Sequence, residues 1–400
     1  MTGTPQETNT MKISHISRRA VIAAAVTLAM PVAMAQAPGK LKVGLMLPAT
    51  GTFAALGTAI ENGFRLYLTE QGGKLGGREV EFFKVDDESD PSKAIDNVNK
   101  LIKRDNVDVL VGSVHSGVAM AMARVAKTSG TLMINPNGGA DAVTGSMCAV
   151  NIFRSSFSNW QPGFAIGQAM AAKGHKTAAT ITWKYAAGDE MAKGFKEGFE
   201  KAGGKVTKEL NLPFPNVEFQ ALLTEIASAK PDAVFSFFAG GGAVKFVKDY
   251  DGAGLKKSIP LFGTGFLTDG TLEAQGASAD GVLTALHYAD GLNTPRDNAF
   301  RLAYAKTFKL QPDVYAVQGY DAAQMLGVGL AAVKGDAKDT AGFAAALRKT
   351  TIDSPRGKFT ISKAHNPIQN MYLRQVSDKE NKVVGIASKA LEDPARGCNM

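Results

Sequence analysis

The sequence predicts an α/β protein built on mostly parallel sheets. Three observations carry that prediction. Short apolar runs, such as 107–111 and 131–134, have the character of strands buried on both faces of a sheet. Segments with helical apolar spacing alternate with those runs along most of the chain. The residues just past the strands are small or polar, as in Gly112, Ser113, Ser116, Asn137 and Gly139. In an open α/β sheet those positions form the crevice where ligands bind.

The elements follow in order. A strand over 41–47 leads to a helix over 57–71 with Ile60, Phe64 and Leu68 on one face. A second strand over 80–85 is followed by a helix over 91–104, carrying Ile95, Val98, Leu101 and Ile102. The strands over 107–111 and 131–134 and the helix between them close this series. A second series begins near Phe153: helix 161–173, strand 177–183, helix 189–202 with Met191, Phe195 and Phe199, and strand 206–210. Helix 217–229, strand 233–238, helix 243–253 and a short strand over 260–263 complete it. The two series share one layout, which predicts two similar lobes. Helices over 295–307 and 314–333 and a hairpin of 372–376 with 383–387 end the chain.

The first residues have the pattern of an export signal. Lys12, Arg18 and Arg19 precede an apolar stretch over 20–34, and small residues at 33–37 mark cleavage after Ala35 or Ala37. The alternative, a membrane anchor, is disfavoured by the short run and by Pro31. Removing residues 1–37 takes three of the 45 basic residues and one of the 37 acidic ones, leaving a net charge of +6. That charge is spread along the chain without a Lys/Arg block, so nucleic acid is not an expected partner. Export to an oxidising compartment favours a disulfide between Cys148 and Cys398, the two cysteines, over two free thiols.

No sequence motif for catalysis is evident. The five histidines lack metal-ligand spacing, and GSVHSG at 112–117 does not match the nucleophile elbow of hydrolases. The glycine run at 240–242 lacks the ending of a phosphate-binding loop. Neither a cofactor nor an enzymatic activity is therefore expected. The stretch 105–141 instead offers a cradle for a small anion. Ser116 stands at a helix start, where free N–H groups and the helix dipole favour a carboxylate, and where it can equally serve as a cap. Gly138 and Gly139, after Asn137, let the backbone approach a ligand closely. His115 is either a ligand contact or a solvent-facing imidazole.

The chain resembles the type I periplasmic solute-binding proteins of ABC importers, in the branched-chain amino acid (Leu/Ile/Val) binding family. The resemblance rests on VGLMLPATGTFAALG at 43–57, GGREVEFFKVD at 76–86, DPSKAIDNVNKLI at 90–102, VDVLVGSVHSG at 107–117, YAAGDEMAKGFKEGF at 185–199 and QGYDAAQML at 318–326. It implies two Rossmann-like lobes joined by three crossover hinge strands near 153–158, 287–290 and 362–367. Lobe 1 would comprise 38–155 plus 289–363, and lobe 2 would comprise 156–288 plus 364–400. It further implies a periplasmic monomer that captures a solute by hinge closure and delivers it to a membrane permease. A ligand sensor presenting its bound state to a receptor would use the same closure.

By position, the resemblance makes Ser116, Asn137, Gly138 and Gly139 the holders of the ligand carboxylate, with Phe53 lining the pocket. Amino acid binders of this family usually place a Tyr at the position of Ala187 and an acidic residue within 238–244 to meet the ammonium. Here that loop is acid-free, and a buried ammonium without a partner is costly. The remaining expected lining is His115, Trp160, Tyr185, Ala187, Phe238, Gly240 and Phe266. The chain is thus similar to the aromatic-acid binders of the family, and the expected ligand is a small carboxylate with an aromatic body. A branched-chain or other amino acid is the alternative.

Overall fold

The computed structural model describes residues 1–3 and 39–400, so the expected signal segment falls almost entirely outside the described residues. A first sheet has the strand order β2-β3-β1-β4-β5-β6, formed by β1 (Leu41–Leu47), β2 (Lys74–Leu75), β3 (Arg78–Asp86), β4 (Val109–Val111), β5 (Leu132–Asn135) and β6 (Ile152–Arg154). All its pairings are parallel except the short β2–β3 ladder. The second sheet contains β7 (Thr177–Lys184), β8 (Lys205–Pro213), β9 (Ala233–Phe237), β10 (Leu261–Thr264), β11 (Leu283–Leu286), β12 (Thr360–Ile361), β13 (Pro367–Ser377) and β14 (Glu380–Leu391). Strands β7 to β11 pair in parallel, and β12, β13 and β14 join antiparallel at one side.

Burial explains which strands the sequence makes plain. Strands β4, β5, β9 and β10 are buried along their whole length, and their sequences are short apolar runs. Strand β8, at a sheet edge, alternates between more and less exposed residues.

The helices are α1 (Ala54–Glu70), α2 (Pro91–Lys103), α3 (Ser116–Ser129), α4 (Asp141–Thr144), α5 (Trp160–Ala172) and α6 (Ala186–Lys201), then α7 (Gln220–Ala229), α8 (Gly240–Gly252), α9 (Leu272–Gln275), α10 (Pro295–Phe308), α11 (Val314–Ala332) and α12 (Thr340–Lys349). Side-chain caps fix several starts. Asp90 accepts from the Ser92 N–H at 2.8 Å with Pro91 in the first turn, and Asp313 accepts from the Ala316 N–H at 3.0 Å. Helix α2 buries Ala94, Val98 and Leu101; of the four apolar residues expected on that face, Ile95 is exposed and Ile102 is half-buried.

The chain leaves the first sheet after β6 and builds β7 to β11 of the second. Helices α10 and α11 then return to pack on α1, and the chain re-enters the second sheet at β12. Helix α11 is buried almost all round, so its polar residues Gln318 and Asp321 must find internal partners. Asp321 pairs with the buried Arg356 at 3.1 Å, and Arg374 pairs with Asp269 at 2.7 Å. The sulfurs of Cys148 and Cys398 are bonded, with Cα atoms 5.6 Å apart, tying the last residues to the loop after α4. No helix among the described residues is long and apolar enough to cross a membrane.

Candidate functional site

A small cavity lies where the loops past the strands of both sheets meet. From the first sheet come Phe53 after β1, Val114 and Ser116 after β4, and Asn137 and Gly139 after β5. Phe157 and Asn159 stand on the stretch that leaves β6. From the second sheet come Tyr185, Ala187 and Met191 after β7, Phe237 at the end of β9 and Ala239 just past it, and Phe266 after β10. Tyr315, at the start of α11, closes the wall. None of the side chains lining the cavity is charged.

The polar part of the wall belongs to the first sheet. Ser116 opens α3, and the loop holding Asn137 and Gly139 is pinned from below. The fully buried Arg154 donates to the Gly138 and Ala140 carbonyls, each at 2.7 Å, and the Gly138 N–H donates to the Ser113 carbonyl at 2.8 Å. Among the described residues, the backbone N–H groups of Ser116 and Gly139 have no protein acceptor. The Asn137 amide donates to Gln318 Oε1 at 2.6 Å, and Gln318 Nε2 lies 3.2 Å from His287 Nε2. Two buried residues remote in sequence thus orient Asn137 from behind. A Cβ on Gly139 would stand 2.1 Å from Asn159 Oδ1 and 2.5 Å from the Phe157 ring, so only glycine fits between these walls.

The remaining wall is aromatic. Phe157 and Phe266 have ring centroids 4.7 Å apart, with Phe237 and Tyr315 within 6.4 Å and 6.0 Å of Phe266. Burial holds the Tyr185 phenol neutral. Such a wall suits a flat apolar body. Free N–H groups at a helix start opposite it suit a carboxylate without any cationic side chain.

Phe53, Ser116, Asn137, Gly139, Tyr185, Ala187 and Phe266 all line this cavity. The structure places the other expected residues elsewhere. His115 is outside the cavity wall: its Nδ1 accepts from the Gly117 N–H at 3.1 Å to cap α3, and its ring stacks on Tyr185 at 4.7 Å. Burial pushes its pKa down to about 4, so it acts as a neutral cap and not as a solvent-facing imidazole. Gly138 is turned inward, its carbonyl taken by Arg154 and by Asn135. Phe238 packs in the core against Trp183 and Phe219. Its neighbours Phe237 and Ala239 face the cavity, because alternation along the strand end puts them on the other side. Gly240 begins helix α8 at φ 55°, and a Cβ there would stand 2.7 Å from the Thr52 carbonyl, so it sets the approach of the two halves. Trp160 packs on Phe164 and donates to Glu197 at 2.9 Å.

Sequence reasoning missed Phe157, Asn159, Phe237 and Tyr315 on the wall, and Gln318 and His287 behind it. Strand alternation could have selected Phe237. Tyr315 and Gln318 lie on a helix that the fold alone returns to the first sheet.

Two layered α/β sheets with a cavity between their strand ends define a solute-binding architecture. The chain belongs to the periplasmic binding protein family, whose model matches residues 40–381. It is 31% identical over 351 residues to the Leu/Ile/Val-binding protein homolog 6 of Brucella melitensis, covering 85% of this chain and 88% of that one. Among solved structures it is similar to an ABC transporter solute-binding protein from R. palustris in complex with benzoate, at 51% identity and a TM-score of 0.88, covering 90% of this chain and all of that one (100%). A second, from Rhodopseudomonas palustris in complex with 3,4-dihydroxybenzoic acid, is 32% identical with a TM-score of 0.83, covering 89% of this chain and 99% of that one.

Proposed function

We propose that the protein captures a small aromatic carboxylate in the cavity between its two sheets and presents it to the membrane permease of an ABC importer. The carrying observation is the chemistry of the wall. It sets free N–H groups at Ser116 and Gly139 opposite a ring-lined, acid-free surface. An ammonium entering this cavity would meet no carboxylate on its wall, whereas a benzoate-like ring loses only water. The benzoate and dihydroxybenzoate complexes of similar proteins support the same ligand class.

In this reading the site residues are those lining the cavity. Ser116, Asn137 and Gly139 hold the carboxylate, while Phe53, Tyr185, Ala187 and Phe266 surround the ring. Two lobes, 38–155 plus 289–363 and 156–288 plus 364–400, hinge at three crossings to admit the ligand. The ligand favours the closed form because only there do both walls touch it. The protein acts as a monomer in the periplasm, exported by a signal segment cleaved after Ala35 or Ala37, and carries out no chemistry on its cargo. The Leu/Ile/Val names of the curated relatives favour a branched-chain amino acid as the second reading. Isothermal titration with benzoate, coumarate, phenylpyruvate and leucine separates the two. The aromatic acids are expected to bind at micromolar or lower concentration and leucine weakly or not at all. Tight leucine binding without an aromatic response overturns the proposal.

A further inference from the structure

Behind the carboxylate-holding wall, one side chain reaches across the cleft. Glu190 lies on α6, just past the Tyr185 and Ala187 that line the second-sheet side. Its Oε2 accepts from the backbone N–H of Asp141, which follows the Gly139 loop, at 3.0 Å. The same oxygen accepts from Asn159 Nδ2 at 2.7 Å. That amide nitrogen also donates to Ser116 Oγ at 3.1 Å, and the Asn159 N–H donates to the Gly139 carbonyl at 2.7 Å. Asn159 therefore joins Glu190 to two of the residues that face the ligand carboxylate.

We propose that Glu190 is a cross-cleft latch, a positioning residue that seats on Asp141 when the halves close, holds Asn159 of its own lobe against Ser116 and Gly139, and makes closure draw a proton onto Asp141. The inference rests on the ligand reading above. The proton follows from what surrounds the pair. Asp141 Oδ1 accepts from the Trp160 N–H at 3.0 Å, and the other charged or titratable groups around Glu190 are Arg154, Asp393 and Tyr185. Helix α5, packed along α6, adds no charged side chain, and the nearby Lys184 pairs with Asp189 at the surface at 3.0 Å. Several carboxylates thus share one buried guanidinium. Burial, and then the facing Glu190 charge, raise the Asp141 pKa; burial also raises that of Glu190. Glu190 accepts two N–H bonds and stays ionised, so Asp141 takes the proton from solvent. When the halves part, both carboxyls regain water and ordinary acidity. Closure then takes up a proton, and ligand affinity rises as pH falls from about 8 towards 6.

The test is benzoate titration of the purified protein and of Glu190→Ala, Glu190→Gln and Asp141→Asn between pH 6 and 8.5, in buffers of different ionisation enthalpy to count protons. Wild type is expected to take up a fraction of a proton and to tighten with falling pH, by at most about tenfold per unit. E190A is expected to bind about tenfold or more weakly, having lost the cross-cleft bond from Asp141 to a charged acceptor and the hold on Asn159. E190Q still accepts those bonds through its amide oxygen without the charge, so it keeps tight binding while its proton uptake falls. D141N keeps its backbone donor and likewise flattens the pH dependence. Wild-type benzoate binding with E190A unchanged, or with undiminished proton uptake in both E190Q and D141N, overturns the latch and leaves the ligand reading intact. A wild type that binds none of benzoate, coumarate and phenylpyruvate overturns both.

Discussion

Gly139 shows how one missing side chain can set a site. Its position leaves no room for a Cβ between Asn159 and Phe157, both of which face the cavity. Gly139→Ala should force these walls apart at an overpacking cost of about 1–3 kcal/mol, weakening benzoate binding at least severalfold. Titration calorimetry beside an unchanged far-ultraviolet circular dichroism spectrum checks this. His115 and His365 carry a second residue-level prediction. Burial lowers both pKa values to about 4, while an imidazole in the unfolded chain protonates near 6.5. Below that value the native form holds fewer protons than the unfolded one, so both residues lose stability for the fold as pH drops from about 6.5 to about 4. Their ring resonances should stay at the neutral position from pH 7 to 5, and titration of either near 6.5 contradicts the assignment. Ser116 and Gly139 were legible because helix starts and glycines carry a local signal. Asn159 and Gln318 were not, because their roles arise only from partners 43 and 181 residues away.

Elements were legible where one physical demand dominates. Fully buried strands such as β4 and β9 need apolar runs, and α2 needs an apolar stripe with an Asp-Pro start. The start of α8 was not, since three successive glycines have the composition of a loop, yet Gly240–Gly242 are its first residues. That one difference moved the expected contact from Phe237 and Ala239 to Phe238 and Gly240. The short α4 and β6 carry too few residues for periodicity to show, although they position Asp141 and Arg154. The C-terminal tail is an element held by other means: the Cys148–Cys398 bond, Arg396 on Glu197 at 2.9 Å, and Ser158 hydrogen-bonded to Asp393. With the cysteines 250 positions apart in sequence, Cys148→Ser should lower unfolding stability by about 2–4 kcal/mol. Urea unfolding of wild type and variant, with and without reductant, measures it; a wild type indifferent to reductant contradicts it.

At the scale of the whole molecule, the proposed site has the two sheets divide the work of binding. The first supplies N–H groups and amides held by Arg154 and Gln318, and the second supplies much of the ring wall and the Glu190 crossing. The alternation of strands and helices was enough to predict two mostly parallel sheets, because that order of elements packs helices on the faces of parallel strands. The return of α10 and α11 to the first sheet was not predictable from local pattern, and it brings Tyr315 and Gln318 to the site. The central claim is that an aromatic acid lies between the sheets with its carboxylate on the first. A crystal structure of the protein with benzoate tests it most directly. The account predicts carboxylate oxygens within hydrogen-bond distance of the Ser116 and Gly139 N–H groups, and the ring among Phe157, Phe237 and Phe266. A benzoate bound outside this cavity, or with its carboxylate turned to the Tyr185 and Ala187 wall, contradicts it.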